Sequence, residues 1–240
     1  MDRRSFLRLS STAGALAASG MGFFETADAA PVTDGWRSFE LVTDVQVRDP
    51  GKQSKVWVPV PAAQDIAYQR GAQTTWTIEG NGTARLATAP GYDVQMLAVT
   101  WPDGQEAPRR VVVSSRFQTR NRRVDLSQPP AAGFKPESAA VLREYLRPTA
   151  LLPTDGIVKA TADRITRGHK GDLERARALY EWVADNTCRT ASTRGCGTGD
   201  VRYMLTANDL NGKCSDINAL FVALARASGI PARDAYGIRV

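Results

Sequence analysis

Residues 212–233 read GKCSDINALFVALARASGIPAR, and this stretch decides the fold of its half of the chain. The glycine that opens it leads into Cys214, which stands at the predicted start of a helix. Apolar residues then recur at the i, i+3, i+4 and i+7 spacing of a helix face that packs against a core: Ile217, Leu220, Phe221 and Leu224. Gly229 and Pro231 are typical of a helix end, and residues 232–240 then predict a strand.

The position of Cys214 predicts a nucleophile. A thiol in the positive field of a helix N-terminus is favoured as thiolate, which is the reactive form. The backbone N–H of Cys214 would also serve as one donor of an oxyanion hole. Asp216 lies in the same first turn, where a carboxylate suits the helix dipole and caps free N–H groups, so we assign it a structural role. The alternative for Cys214 is a small buried thiol.

Three pieces of this stretch resemble the transglutaminase-like superfamily, whose core is related to that of papain-like cysteine proteases. They are G-x-C-x-D at 212–216, the helix that follows, and RASGIPAR at 226–233. The resemblance implies that Cys214 is the acyl-accepting nucleophile. It implies acyl transfer or peptide hydrolysis at amide bonds through a Cys thioester, with protein or peptide substrates, cell-wall peptides among them. It also covers residues 195–200, a tight loop near the active-site entrance.

The catalytic set implied by the resemblance is incomplete in this sequence. In that family a histidine and an aspartate follow the cysteine on strands downstream, whereas this sequence ends at Val240. The one histidine, His169, precedes Cys214 in a polar loop, so we do not assign it as the base. We expect a fragment of a longer polypeptide that does not turn over in isolation. The alternatives are a non-catalytic cell-envelope binding module or pseudoenzyme, and a structural β-domain protein with a helical scaffold.

The N-terminus has the pattern of an export signal. Residues 3–8 read RRSFLR, a twin-arginine motif, and the modestly apolar stretch 9–24 is too short for a stable membrane span. Residues 27–29 read ADA, a small-x-small cleavage site. We therefore predict a signal peptide over 1–29 and a periplasmic or secreted protein with no stable membrane span after cleavage. The alternative is an uncleaved anchor.

The cysteines and the charge pattern limit what the protein binds. In an oxidising compartment Cys188 and Cys196 are close enough in sequence to form a disulfide, and the alternative is that Cys188 is free and partly buried. The Cys and His spacing does not suggest zinc, so we expect no metal and no cofactor. The net charge is +6, but the basic residues are scattered apart from one cluster that does not resemble a nucleic-acid-binding motif: Arg116, Arg120, Arg122 and Arg123. We expect no nucleic-acid partner.

The remaining patterns predict an α+β chain with two domains. Residues 30–128 form a β-rich domain resembling an antiparallel sandwich, with alternation from Phe39 to Val47 and further strands at 56–61, 75–78, 94–99 and 111–117. Residues 129–136 are a linker. Residues 137–240 form the incomplete transglutaminase-like core, which is its N-terminal, helical half. Its helices are predicted at 137–146, 156–167 and 172–186, the last capped by Asp172.

Overall fold

The computed structural model describes residues 35–48, 53–62, 64–88, 94–104, 108–128 and 136–238. The chain divides into two compact units, one of residues up to 85 together with 97–124, and one of 86–96 together with 125 onward. The predicted signal peptide, its cleavage site and residues 129–135 of the predicted linker lie outside the described residues. The predicted domain boundaries therefore stay predictions.

In the part of the chain that the structure describes, six strands form two three-stranded sheets, ordered β1-β6-β3 and β2-β5-β4. In the first sheet β6 is central and antiparallel to both neighbours, with Arg37 opposite Thr119 at one end of β1 and Gln46 opposite Arg110 at the other. These sheets and the helices confirm the predicted α+β class. Strand β4 was not predicted, because TARLAT carries little apolar signal. The bounds are β1 Arg37–Gln46, β2 Ser54–Pro59, β3 Gln69–Glu79, β4 Thr83–Thr88, β5 Gln95–Trp101 and β6 Arg110–Thr119.

The core of the β unit is built on β5 and β6. Side chains of these strands are buried at alternate positions: Leu97, Val99, Trp101, Val111 and Val113. The indole of Trp101 is fully buried, and its Nε1 donates to the carbonyl oxygen of Glu79 at 2.8 Å, which satisfies its one polar group. Gly82 has to be glycine, because a Cβ there would lie 2.6 Å from the Trp101 Nε1.

Among the described residues, the second unit contains five helices, and the last of them is its centre. From Ala219 onward most side chains of α5 are buried, including Leu220 and Leu224, and they pack with residues of α2, α3 and α4 in one core. Burying each such leucine contributes about 1.5–3 kcal/mol. Gly229 has a positive φ of 79° directly after α5, as predicted for the helix end. The bounds are α1 Ala139–Glu144, α2 Gly156–Thr166, α3 Gly171–Asn186, α4 Val201–Ala207 and α5 Cys214–Ala227.

In the helical unit, one predicted helix cap is wrong and one helix was not predicted. The N-cap of α3 is Lys170, whose backbone N–H donates to the carboxylate of Glu174 at 2.9 Å. Asp172 instead lies inside the first turn and pairs with Arg175, so the predicted cap is wrong. Helix α4 was not predicted, although Asp200 caps it by accepting from the amide of Tyr203 at 3.0 Å.

The strand predicted at 232–240 is wrong for the part that the structure describes. Residues 232–238 have no strand structure. A strand forms by pairing, and residues 136–238 contain no strand with which this segment could pair. The segment is held by isolated hydrogen bonds instead, such as that from the Ala232 amide to the Tyr145 carbonyl oxygen at 3.1 Å. Among all described residues, no helix has the length and apolarity needed to cross a membrane.

Candidate active site

Cys214 is the first residue of α5, and its thiol is exposed. The fold therefore presents it at the open end of a helix that is mostly buried from Ala219 onward. Within the described ranges, no acceptor bonds the backbone N–H of Cys214, as expected in the first turn of a helix. Cys188 and Cys196 are also free and exposed, so the structure has no disulfide between them.

Asp216 holds this helix start in place. Its carboxylate is buried, with 6% of the residue exposed, and its two oxygens accept three backbone N–H groups. Oδ1 accepts from Thr198 and Gly199, each at 2.9 Å, and Oδ2 accepts from Lys213 at 2.9 Å. A buried carboxylate needs such donors because burial removes its water. The predicted capping role is confirmed, and the bonds to 198–199 extend it across the chain.

Two glycines make room for the Asp216 carboxylate. A Cβ at Gly197 or at Gly212 would overlap the carboxylate oxygens. Gly197 also has a φ of +96°, which side-chain-bearing residues rarely adopt. The glycine-rich segment 195–199 therefore wraps around Asp216. Sequence reasoning placed this loop near the active site but found no role for its glycines.

Residues 188–190, which follow α3, hold the turn before Cys214 in place through hydrogen bonds. The amide of Gly212 donates to the Cys188 carbonyl oxygen at 3.2 Å, and the amide of Thr190 donates to the Gly212 carbonyl oxygen at 2.7 Å. The Asn211 side-chain oxygen accepts from the Cys188 amide at 2.9 Å. The two backbone bonds form an isolated parallel bridge between Arg189 and Gly212, and all three bonds fix the approach of the backbone to the thiol.

The segment after α5 folds back to the start of that helix. The hydroxyl oxygens of Ser215 and Tyr236 lie 3.4 Å apart, and the ring of Tyr236 is exposed. Farther back, buried Arg226 donates to the carbonyl oxygens of Ala232 at 2.8 Å and Arg147 at 2.7 Å. These bonds tie the end of α5 to the segment that follows it and to the segment after α1.

The carboxyl group of Asp234 lies near the Arg226 side chain in a partly buried position. Burial raises the pKa of Asp234, and the positive charge of Arg226 opposes that rise. Its Oδ1 is buried without a hydrogen-bond partner among the described residues. This carboxyl is therefore poorly solvated and carries a stability cost when ionised.

His169 does not lie at the thiol. It is exposed in the loop between α2 and α3, as predicted, and its amide donates to the Thr166 carbonyl oxygen at 3.1 Å. Helix α3, which follows this loop, is bonded near its start to the C-terminal end of α5, because the Arg175 side chain donates to the Ser228 carbonyl oxygen at 2.8 Å. No imidazole among the described residues accompanies Cys214. The same residues contain no cluster of three or more side chains that could hold a metal ion.

Residues 159–240, which include α5 and the Asp216 bonds, match the family model described as "Transglutaminase-like superfamily". The similarity to that superfamily lies in this part of the chain. The chain is also similar to an uncharacterized protein of Haemophilus influenzae, at 36% identity over 191 residues. The aligned region covers 78% of this chain and 51% of that protein, so the chain spans about half the length of the curated relative it matches.

A solved structure of low sequence identity shares the fold. A crystal structure from Cytophaga hutchinsonii, described as a "Putative Cysteine Protease", aligns with a TM-score of 0.57 at 15% identity. The alignment covers 82% of this chain and 65% of the Cytophaga chain. A structure from Parabacteroides distasonis, described as a "putative protease", covers 80% of this chain and 35% of the other at 16% identity. Its TM-score of 0.29 is too low to indicate a shared fold.

Proposed function

We propose that this protein is an exported cysteine enzyme that acts on amide bonds through a thioester on Cys214. The observation that carries the proposal is the exposed thiol at the first residue of a buried helix. The three hydrogen bonds of Asp216 hold that helix start rigidly, and a nucleophile needs such a fixed position. The superfamily match over 159–240 supports the same assignment.

The reaction follows from the atoms at the helix start. The Cys214 thiolate attacks the carbonyl carbon of an amide, and the oxyanion that develops accepts a hydrogen bond from the Cys214 backbone N–H. Collapse of this intermediate releases the amine, which takes up the proton that the thiol gave to the base, and leaves a thioester, which water or a second amine then cleaves. Ser215 is not the second oxyanion donor through its backbone, because its N–H already donates to the Cys196 carbonyl oxygen at 3.1 Å.

The proposal requires a base, and His169 does not supply it from its place in the exposed loop. The chain spans about half of its curated relative, so the activity is proposed for the whole protein. Peptides or proteins are the proposed substrates, supported by the likeness to a structure described as a "Putative Cysteine Protease". The twin-arginine pattern at 3–8 supports export to the periplasm or beyond, where cell-wall peptides are available.

The test uses the protein purified from the envelope of its native host, with its intact mass measured first. Hydrolysis is followed with fluorescein-labelled casein, and acyl transfer with incorporation of a fluorescent primary amine into casein. We expect Cys214→Ala to lower either activity by about 10³-fold or more. His169→Ala is the matched control and is expected to keep full activity. Activity that survives Cys214→Ala would refute the proposal.

The second candidate is a non-catalytic envelope binding module with the same fold. It is favoured by one observation, that no imidazole among the described residues accompanies the Cys214 thiol. The two candidates separate in the same experiment. A binding module neither hydrolyses casein nor incorporates the amine into it. In that case Cys214→Ala leaves the affinity of the protein for isolated cell-wall material unchanged.

A further inference from the structure

Cys196 and Cys214 are held close together by one backbone hydrogen bond. The amide of Ser215 donates to the Cys196 carbonyl oxygen at 3.1 Å. That amide belongs to the peptide group that joins Cys214 to Ser215, so only a few fixed bond lengths separate the two cysteine Cα atoms. Standard peptide dimensions keep these Cα atoms within about 6.5 Å of each other.

A disulfide can bridge that separation, because the Cα atoms of bonded cysteines lie about 4.4–6.8 Å apart. Both thiols are free and exposed, so an oxidant in solution reaches them. The loop that carries Cys196 is also fixed at this place. The Lys213 ammonium donates to the Gly195 carbonyl oxygen at 3.0 Å, and the Gly197 amide donates to that of Arg194 at 3.3 Å.

We propose that Cys196 is a resolving cysteine that forms a reversible disulfide with Cys214 and thereby withdraws the nucleophile. The bond formation follows from the backbone geometry, and only its effect on turnover rests on the proposed function. The third cysteine, Cys188, is bonded through its backbone to Asn211 and Gly212 instead of to the segment that carries Cys196. It provides an exposed thiol for comparison.

The oxidant is a low-molecular-weight disulfide, for which oxidised glutathione is the probe. The Cys214 thiolate attacks one sulfur of the probe, a mixed disulfide forms, and one glutathione thiolate leaves. The Cys196 thiolate then attacks the Cys214 sulfur and displaces the second glutathione. The two protein thiols lose two electrons and two protons, and these end on two molecules of reduced glutathione.

The test is a peptide map of the protein after incubation with oxidised glutathione. Remaining thiols are alkylated, the protein is denatured, and trypsin is applied without a reductant. Cleavage after Arg177, Arg189, Arg194, Arg202, Lys213 and Arg226 puts each cysteine in its own peptide. We expect peptide 195–202 linked to peptide 214–226, in the wild type and equally in Cys188→Ser. The link is expected to disappear on reduction and to be absent from Cys196→Ser.

The reactivity of the thiol gives a second readout. Alkylation of Cys214 by iodoacetamide is expected to fall about tenfold or more after oxidation of the wild type, and to recover on reduction. Cys196→Ser and Cys196→Ala, checked by thermal unfolding, should form no internal link, and their peptide 214–226 should carry glutathione on Cys214 instead. A link between Cys188 and Cys196, or three unlinked cysteines in the oxidised wild type, would overturn the proposal. If the 196–214 link forms but the reduced protein has no amidase activity, the disulfide stands and the proposed function fails.

Discussion

Replacing Asp216 with alanine removes the acceptor of three backbone hydrogen bonds, and we expect it to destabilise the helical unit strongly. Hydrogen bonds to a charged group contribute about 1.5–3 kcal/mol each, which gives an upper range of about 4.5–9 kcal/mol for three. The substitution also removes the cost of burying a charge, and water can enter the vacated space. We therefore expect the free energy of unfolding to fall by about 3–5 kcal/mol, measured by urea unfolding followed by circular dichroism at 222 nm.

The conservative variant Asp216→Asn separates the hydrogen bonds from the space. The asparagine side-chain oxygen can keep the bonds to Thr198 and Gly199, whereas its NH₂ group faces the Lys213 N–H, so donor meets donor. One bond of three is lost, and we expect a loss of about 1.5–3 kcal/mol in the same assay.

An ordinary helix cap of the same unit is the matched control. Asp200 accepts one N–H, that of Tyr203 at 3.0 Å, at a solvent-accessible helix start. Asp200→Ala is expected to cost about 1 kcal/mol. If Asp216→Ala costs no more than Asp200→Ala, the reasoning that Asp216 ties the loop to the helix is refuted.

Two further predictions concern the surroundings of this site. Gly197→Ala is expected to lower the unfolding temperature far more than Gly168→Ala. Both positions have positive φ, but only a Cβ at Gly197 meets the Asp216 carboxylate. Equal shifts of the two unfolding temperatures would contradict the clash. Asp234→Asn is expected to raise stability at pH 7, because burial raises the pKa of this carboxyl, so the folded state binds its proton more tightly. The gain should shrink as the pH falls through the folded pKa and vanish below the ordinary aspartate value of about 3.9, and a gain that does not change between pH 7 and pH 3 in urea titrations would contradict it.

The helix that presents Cys214 could be predicted from sequence almost to the residue. Its signals are local: the leading glycine, the apolar spacing from Ile217 to Leu224, and Gly229 at its end. Such signals act through neighbours on one helix and need no knowledge of the rest of the fold. The strands β1, β2, β3, β5 and β6 could be located for the same reason, since alternation along a strand is also local.

The predictions that failed depended on partners elsewhere in the chain. The apolar and β-prone residues after α5 predict a strand, but a strand exists only where another strand supplies its hydrogen bonds. Residues 232–238 have none among the described residues, so their backbone is held by Tyr145 and Arg226. Helix α4 was missed because seven residues carry too little periodic signal, although Asp200 offered a recognisable cap.

The sequence by itself determined the nucleophile candidate, the helix that carries it and the resemblance of residues 212–233 to the transglutaminase-like superfamily, because these depend on residues within a short stretch of chain. Only the tertiary structure decided how that helix start is held. The bonds from Asp216 to Thr198 and Gly199 and the bond from Ser215 to Cys196 cross 17 to 19 positions of the chain. Spacing alone cannot predict such pairs, because the loop between them can close in many ways and packing selects one.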